Sequence, residues 1–207
     1  MRIYMQAFLT NIAQRPALWA MLRRIVENNY VGERAAIADE LTPWLQTKPR
    51  RFLDFGCGTG EFASSFPQHS YMGVDLSQGY VRYAATLSDH RFGVMNGNAL
   101  AFGDASFDAA LIVGVIHHLD DALAQITARE LHRVLAPGGE ILMLEDIPAQ
   151  DWWNLPGRLM HWLDRGDAIR QDEDYGRLFA PYFTIQRRWT IRSGICDYAV
   201  YRFSRVD

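Results

Sequence analysis

The chain has 207 residues, 49% hydrophobic and 22% charged, which suits one soluble globular domain and leaves too little length for two. A formal net charge of -3 excludes the global basic field that gathers nucleic acid. The only cysteines are Cys57 and Cys196, and no secretory or membrane-spanning run is evident, so a reduced, cytoplasmic protein is expected.

In chain order, residues 2 to 27 read as helix broken at Pro16, with Phe8, Leu9 and Ile12, then Leu18, Leu22, Ile25 and Val26, at helical spacing. A second helix is expected from about Gly32 to Leu45, ending near Pro43 to Pro49. Strand Arg51–Phe55 leads into a glycine turn and a short helix, Glu61–Phe66. The strands "YMGVDLS" (71–77), "RFGVMNGN" (91–98), "FDAALIVGV" (107–115) and "EILMLED" (140–146) follow. Helices are expected at Gln78–Leu87 and at Asp121–Leu135, the latter with its end marked by Pro137, Gly138 and Gly139. Such alternation implies a parallel sheet covered on both faces. Near the end, "FTIQRRWTI" (183–191) and "CDYAVYRF" (196–203) are joined by only "RSG", which suits an antiparallel hairpin. The expected organisation is one domain over 1–207: a helical cap (1–50), a ligand-binding core (51–146), a lid insertion (147–176) and a terminal hairpin (177–207).

"RFLDFGCGTGEF" (51–62) turns a strand into Asp54-x-Gly56-x-Gly58-x-Gly60. The dinucleotide fingerprint G-x-G-x-x-G would place its last glycine at 61, where Glu61 stands. A carboxylate there is suited to capping the short helix and would repel a pyrophosphate. Asp75 ends the second strand, where an acid accepts hydrogen bonds from ribose hydroxyls, although it also suits a helix cap. Close backbone approach, a ribose-gripping acid and no phosphate cradle together describe a nucleoside with a zwitterionic tail, and S-adenosylmethionine fits. Cys57, inside the turn, reads as packing, since no base lies near it in sequence.

"LDFGCGTGEF", "GVDLS", "GNALAFGDASFDAALIVGVIHHLDD" and "LHRVLAPGGEILMLED" resemble, in order, the successive motifs of class I S-adenosylmethionine-dependent methyltransferases of the small-molecule, type 11-like kind. The resemblance covers residues 51 to 146 and implies an α/β fold: a doubly wound, seven-stranded, mostly parallel sheet with a carboxy-terminal antiparallel hairpin. It implies that Gly56, Gly58 and Gly60 let the turn approach the methionine portion, with Asp54 near its ammonium group and Cys57 beside them. Asp75 would hold the ribose, with Leu76 over the adenine and Ser77 following. Asn98 and Ala99 stand where the family has Asp and a small residue, beside the adenine amino group, and Asn98 can still accept from it through its amide oxygen. Val113 and Gly114, with Val115, would end the fourth strand near the sulfonium.

Methyl transfer is an in-line displacement, so positioning matters most, and a base is needed only for an acceptor that arrives protonated. His117 and His118 follow the fourth strand at the ligand-binding edge, and of the two His118 is the candidate base. Asp120 and Asp121 read as helix caps. Glu145 and Asp146 end the fifth strand on opposite faces, and Asp146 is the candidate acceptor contact. In the lid, Trp152, Trp153, His161 and Trp162 are candidates to wall an apolar or aromatic acceptor, and Arg165 or Arg170 to meet an anionic group. The first helix, with Trp19 and Tyr30, closes the other side. Arg15, Arg23 and Arg24 beside Phe8, Leu18 and Trp19 leave open a membrane-touching surface.

The expected function is methyl transfer from S-adenosylmethionine to the oxygen or nitrogen of a small molecule, with no metal, in a monomer or homodimer. Lipid, isoprenoid or protein methylation and a non-catalytic S-adenosylmethionine binder are the alternatives. A nucleic-acid acceptor is disfavoured by the acidity and by the absence of an N-P-P-[YF]-like motif, and a nicotinamide oxidoreductase by Glu61 and the glycine spacing.

Overall fold

Apolar strands that expose neither face must be covered on both, and the centre of this sheet obeys that rule. In the computed structural model, which describes residues 9, 11–47, 50–163 and 168–207, β1 (Phe52–Phe55) is buried at every position. It pairs in parallel with β2 (Tyr71–Asp75) and β4 (Phe107–Val113), β3 (Arg91–Val94) pairs with β2, and β5 (Leu135–Ile147) with β4. Antiparallel to β5 runs β7 (Cys196–Arg205), which pairs antiparallel with β6 (Phe183–Ser193). The order β3-β2-β1-β4-β5-β7-β6 is the seven-stranded, mostly parallel sheet anticipated, with its closing hairpin.

The helices are α1 (Pro16–Val26), α2 (Val31–Thr47), α3 (Gln78–Leu87), α4 (Asp121–Val134), α5 (Leu155–Leu163) and α6 (Asp172–Phe179). On one face, Ala128 and Leu131 of α4 and Phe179 of α6 pack with Ile112, Met143 and Phe203. On the other, Ile37, Leu41 and Trp44 of α2 pack with Phe52, Leu111 and Leu142.

Several boundaries differ from the sequence reading. The helix expected at Glu61–Phe66 is a single 3-10 turn, Ala63–Ser65, because Phe66 precedes Pro67 and is extended. The third strand stops at Val94, since Asn96–Ala99 forms a turn in which Asn98 N donates to Asn96 Oδ1 (3.2 Å). Helix α4 ends at Val134 and passes straight into β5, so Gly138 and Gly139 lie in the irregular start of that strand. Pro43 lies inside α2, whose last turn is held by Trp44 stacked on Phe52. Phe8 and Pro49 lie outside the described residues.

The tip of the β6–β7 hairpin is locked against the start of the chain. Ile195 N donates to Val26 O (3.1 Å), Ser193 Oγ to Glu27 O (2.9 Å), and Asn154 Nδ2, just before α5, to Ile195 O (3.0 Å). Gly194 has φ +56, and a Cβ there would overlap Val26 O. Three segments distant in sequence therefore meet beside the carboxyl edge of the sheet.

Candidate active site

At the end of β1 the chain turns back on itself, with Gly56 N and Cys57 N both donating to Val74 O (2.8 and 2.9 Å). Gly56 has φ +73, and a Cβ there would overlap Val115 Cγ2. Gly58 has φ +51 and nothing within 4 Å of where its Cβ would stand, so its backbone is open to a ligand. Gly60 has φ +75, and a Cβ there would meet Ala84 of α3 at 2.9 Å, so α3 packs closely over the turn.

Asp75 binds the turn to the next strand. Its Oδ2 accepts from Gly58 N (2.9 Å) and its Oδ1 from Ser77 N (2.7 Å), while Ser77 Oγ caps α3 at Tyr80 N (3.3 Å). The capping role that competed for Asp75 thus belongs to Ser77. Burial raises the Asp75 carboxyl, against the two amides that lower it.

A cavity of about 500 Å³ opens over this turn. Of the residues anticipated for it, Asp54, Gly56, Cys57, Gly58, Asp75, Leu76, Asn98, Val113 and Gly114 line the wall. Ala99 does not, and Ser77 lines the adjoining cavity instead. Asp54 is 2% exposed and accepts from Tyr71 OH (2.6 Å). Burial pushes its carboxyl up to about 7, with Tyr71 opposing and the Asp75 charge adding to the rise. Burial also raises the Cys57 thiol, in keeping with packing. Glu61 does not cap a helix. It accepts from Arg24 (3.0 Å) and contacts Arg34, so its charge is matched and it repels anions less than the sequence implied.

The wall fits S-adenosylmethionine by the chemistry of its groups. Gly58 leaves the backbone bare, Asp54 and Asp75 offer carboxyl groups, Asn98 offers an amide, and among the described residues of the wall no lysine or arginine other than Arg23 stands to hold a phosphate.

A second cavity, about 560 Å³, lies between α1, α5 and the hairpin tip. The two share Trp19, Arg23, Asp75, Leu76, Tyr80 and His118. Asp146 lines the second cavity together with the apolar Leu22, Val26, Ile147 and Met160. Arg23 Nε is in ion-pair contact with Glu27, and one Nη donates to Tyr198 OH (3.2 Å), which donates to Glu27 Oε2 (2.6 Å). Burial and the neighbouring Glu33 push the Glu27 carboxyl up, against the pull of Arg23.

Glu145 was not singled out from the sequence as a site residue, yet it shapes this edge. Fully buried, it accepts from Val115 N (3.0 Å), Ile116 N (2.8 Å), His117 N (3.2 Å) and His117 Nδ1 (2.9 Å). It therefore fixes the 3-10 turn Ile116–His118 that presents His118. The available signal was a carboxylate within the apolar run "EILMLED", which must be satisfied if buried. Tyr80 and Asn96 were likewise missed, because neither stands in a recognisable motif.

Other anticipated roles change. Trp152, Trp153 and Trp162 are exposed and off the cavity wall, with Trp153 under the Arg192 guanidinium (5.2 Å); only His161 of that set lines the pocket. Arg170 bonds to Asp121 (2.7 Å) and to the carbonyls of Ile116 and Leu119, so it braces the histidine turn instead of meeting a ligand. Asp120 is the cap of α4 and Asp121 is not. Arg165 lies outside the described residues. Arg23 points inward and Arg24 is paired with Glu61, which removes most of the basic half of the proposed membrane surface. No helix among the described residues is long and apolar enough to cross a membrane.

Comparison with known proteins agrees with this geometry. Residues 53–143 match the methyltransferase domain family. The chain is 35% identical over 130 residues to the ubiquinone/menaquinone biosynthesis C-methyltransferase UbiE of Nitrobacter hamburgensis, covering 54% of this chain and 49% of that one. It is 37% identical over 91 residues to a Mus musculus protein named "Probable tRNA methyltransferase 9B", covering 44% and 20%. The chain thus spans about half or less of the length of these relatives. Among solved structures, the N-methyltransferase NodS of Bradyrhizobium japonicum with S-adenosyl-L-homocysteine superposes with a TM-score of 0.65 at 17% identity, over 84% of this chain and 88% of that one.

Proposed function

We propose, from the premise that this chain belongs to the class I S-adenosylmethionine-dependent methyltransferases, that it transfers a methyl group to a small molecule with a largely apolar body. The observation that carries the reading is the pair of adjoining cavities, one over the glycine turn and one apolar, sharing a wall at Arg23 and His118.

S-adenosylmethionine, when bound, supplies a methyl group activated on a sulfonium. Asp75 and Asn98 hold the adenosine, Asp54 the ammonium group, and Gly56 and Gly58 admit the tail. Leu22, Val26, Ile147 and Met160 exclude water from the acceptor and orient it. His118 and Asp146 stand where a proton leaving an oxygen or nitrogen acceptor can be received. Glu145 positions His118 through the turn it holds. Asp54 and Asp75 argue for donor binding rather than a bare scaffold, and His118 and Asp146 for turnover rather than binding alone. A single domain and a cytoplasmic setting complete the proposal.

The name of the mouse relative favours a second reading, a tRNA acceptor. Incubating the protein with methyl-labelled donor and fractionated cell extract separates the two. Label in the small-molecule fraction is expected. Label in tRNA alone would replace the first reading with the second, and label in no fraction would leave a binder.

A further inference from the structure

Among the described residues lining either cavity, Arg23 is the single arginine or lysine, and it lies on the shared wall. Its guanidinium is held from behind. Glu27 contacts Nε, Tyr198 OH accepts from one Nη, and Tyr198 in turn donates to Glu27. The Nη bonded to Tyr198 also lies 3.9 Å from the position a Cβ on Gly114 would occupy, and Asp146 Oδ2 lies 3.7 Å from that point. Arg23 therefore reaches the end of β4, where the cavities join. Its other Nη has no hydrogen-bond partner among the described residues, and the side chain keeps 23% of its surface exposed.

Of the acidic groups lining the apolar cavity, Asp197 pairs with Arg192 (2.8 Å) and Asp75 accepts two backbone amides, while Asp146, whose Oδ2 lies 3.8 Å from His117 Nδ1, acts electrostatically on Arg23 from one side. A guanidinium on the wall of a largely apolar cavity favours an oxygen acceptor, most of all an ionised one.

We propose that Arg23 is the residue that selects the acceptor: its open Nη takes an ionisable oxygen, phenolic or carboxylic, on a molecule whose apolar body rests on Leu22, Val26, Ile147 and Met160. The inference rests on the methyl-transfer reading only in calling that molecule the acceptor.

The test is calorimetry on the full chain, with and without saturating S-adenosylhomocysteine, using 4-nitrophenol, benzoate, nitrobenzene and benzylamine as probes. With S-adenosylhomocysteine present, 4-nitrophenol or benzoate should bind at least about 10-fold more tightly than nitrobenzene, as a charged hydrogen bond requires. Whichever of the two binds more tightly identifies the oxygen as phenolic or carboxylic. Arg23→Gln should erase that preference and Arg23→Lys should retain part of it, with thermal melts reporting whether each variant folds. Should Arg23→Gln not fold, the wild-type ranking and Arg23→Lys still decide. Equal binding of nitrobenzene, tighter binding of benzylamine, no binding of either oxygen probe, or a folded Arg23→Gln with the preference intact would each overturn the proposal. Failure of S-adenosylhomocysteine to bind would instead overturn the methyl-transfer reading, whatever the probes do.

Discussion

The cavity over the glycine turn and the cavity behind α1 share Arg23 and His118, yet the first is shaped by backbone and the second by side chains. At the turn, Gly56, Gly58, Val74 and Asp75 set the geometry through amides and left-handed glycines within about twenty residues of chain. Behind α1, Leu22, Met160 and Ile195 are brought together only because the hairpin tip docks between α1 and α5. A site built from local backbone tolerates few changes, whereas one built from side chains can change its ligand without losing the fold.

Breaking each half at its tightest glycine is the strongest test. Gly56→Ala places a methyl into Val115 at φ +73 and should reduce S-adenosylhomocysteine affinity by about 100-fold or more in calorimetry. Gly194→Ala strains the hairpin tip instead and should lower the melting temperature by several degrees, corresponding to about 1–3 kcal/mol. If it folds, its cofactor affinity should fall far less than that of Gly56→Ala. Similar losses in both variants would erase the distinction between the halves.

Asp75→Ala removes a carboxylate that holds Gly58 and Ser77 and, by the proposed role, the ribose. A loss of about 10–100-fold in cofactor affinity is expected, or about 1.5–3 kcal/mol. Unchanged affinity would remove Asp75 from the ribose assignment.

Asp54 supplies a pH test. Its folded-state value of about 7 lies above that of an unfolded aspartate, so the neutral carboxyl is the better tolerated form in the empty fold. Its contribution to stability is full below about pH 4, declines as pH rises to about 7 and levels beyond. An ammonium ligand prefers the carboxylate, so cofactor affinity should weaken by up to about 10-fold per pH unit below 7. Asp54→Asn should flatten both profiles, and a variant that kept the wild-type slope would assign it to another group.

The smallest effect is expected at Met160. Met160→Ala enlarges the apolar wall and should raise the acceptor KM by about 3–10-fold while leaving cofactor affinity within about 2-fold. An equal effect on both ligands would show that the two cavities are not separate.

Much of the wall over the glycine turn was legible from residue order. Asp54, Gly56, Gly58, Asp75 and Asn98 meet on one wall because each ends or follows a parallel strand, and parallel strands deliver their ends to one edge. The pattern of three glycines does not reveal that α3 packs against the third, where a Cβ would meet Ala84. The lid tryptophans were misread for a related reason. Aromatic residues suggest a wall, but Trp152 and Trp153 precede α5 and stay largely exposed, Trp153 against Arg192. Glu61 drew its partners from α1 and α2, which no local spacing encodes.

By itself, the sequence determined the order of strands and helices, the sheet they form and the edge at which a ligand meets the glycine turn. These follow from hydrophobic periodicity, glycine conformation and the short reach of backbone hydrogen bonds. Tertiary structure alone decided that Arg23 turns inward onto Glu27 and Tyr198, that Glu145 supports the histidine turn, and that three distant segments enclose an apolar cavity. Those outcomes depend on long-range packing, in which a side chain's partner lies as far as 175 positions away along the chain.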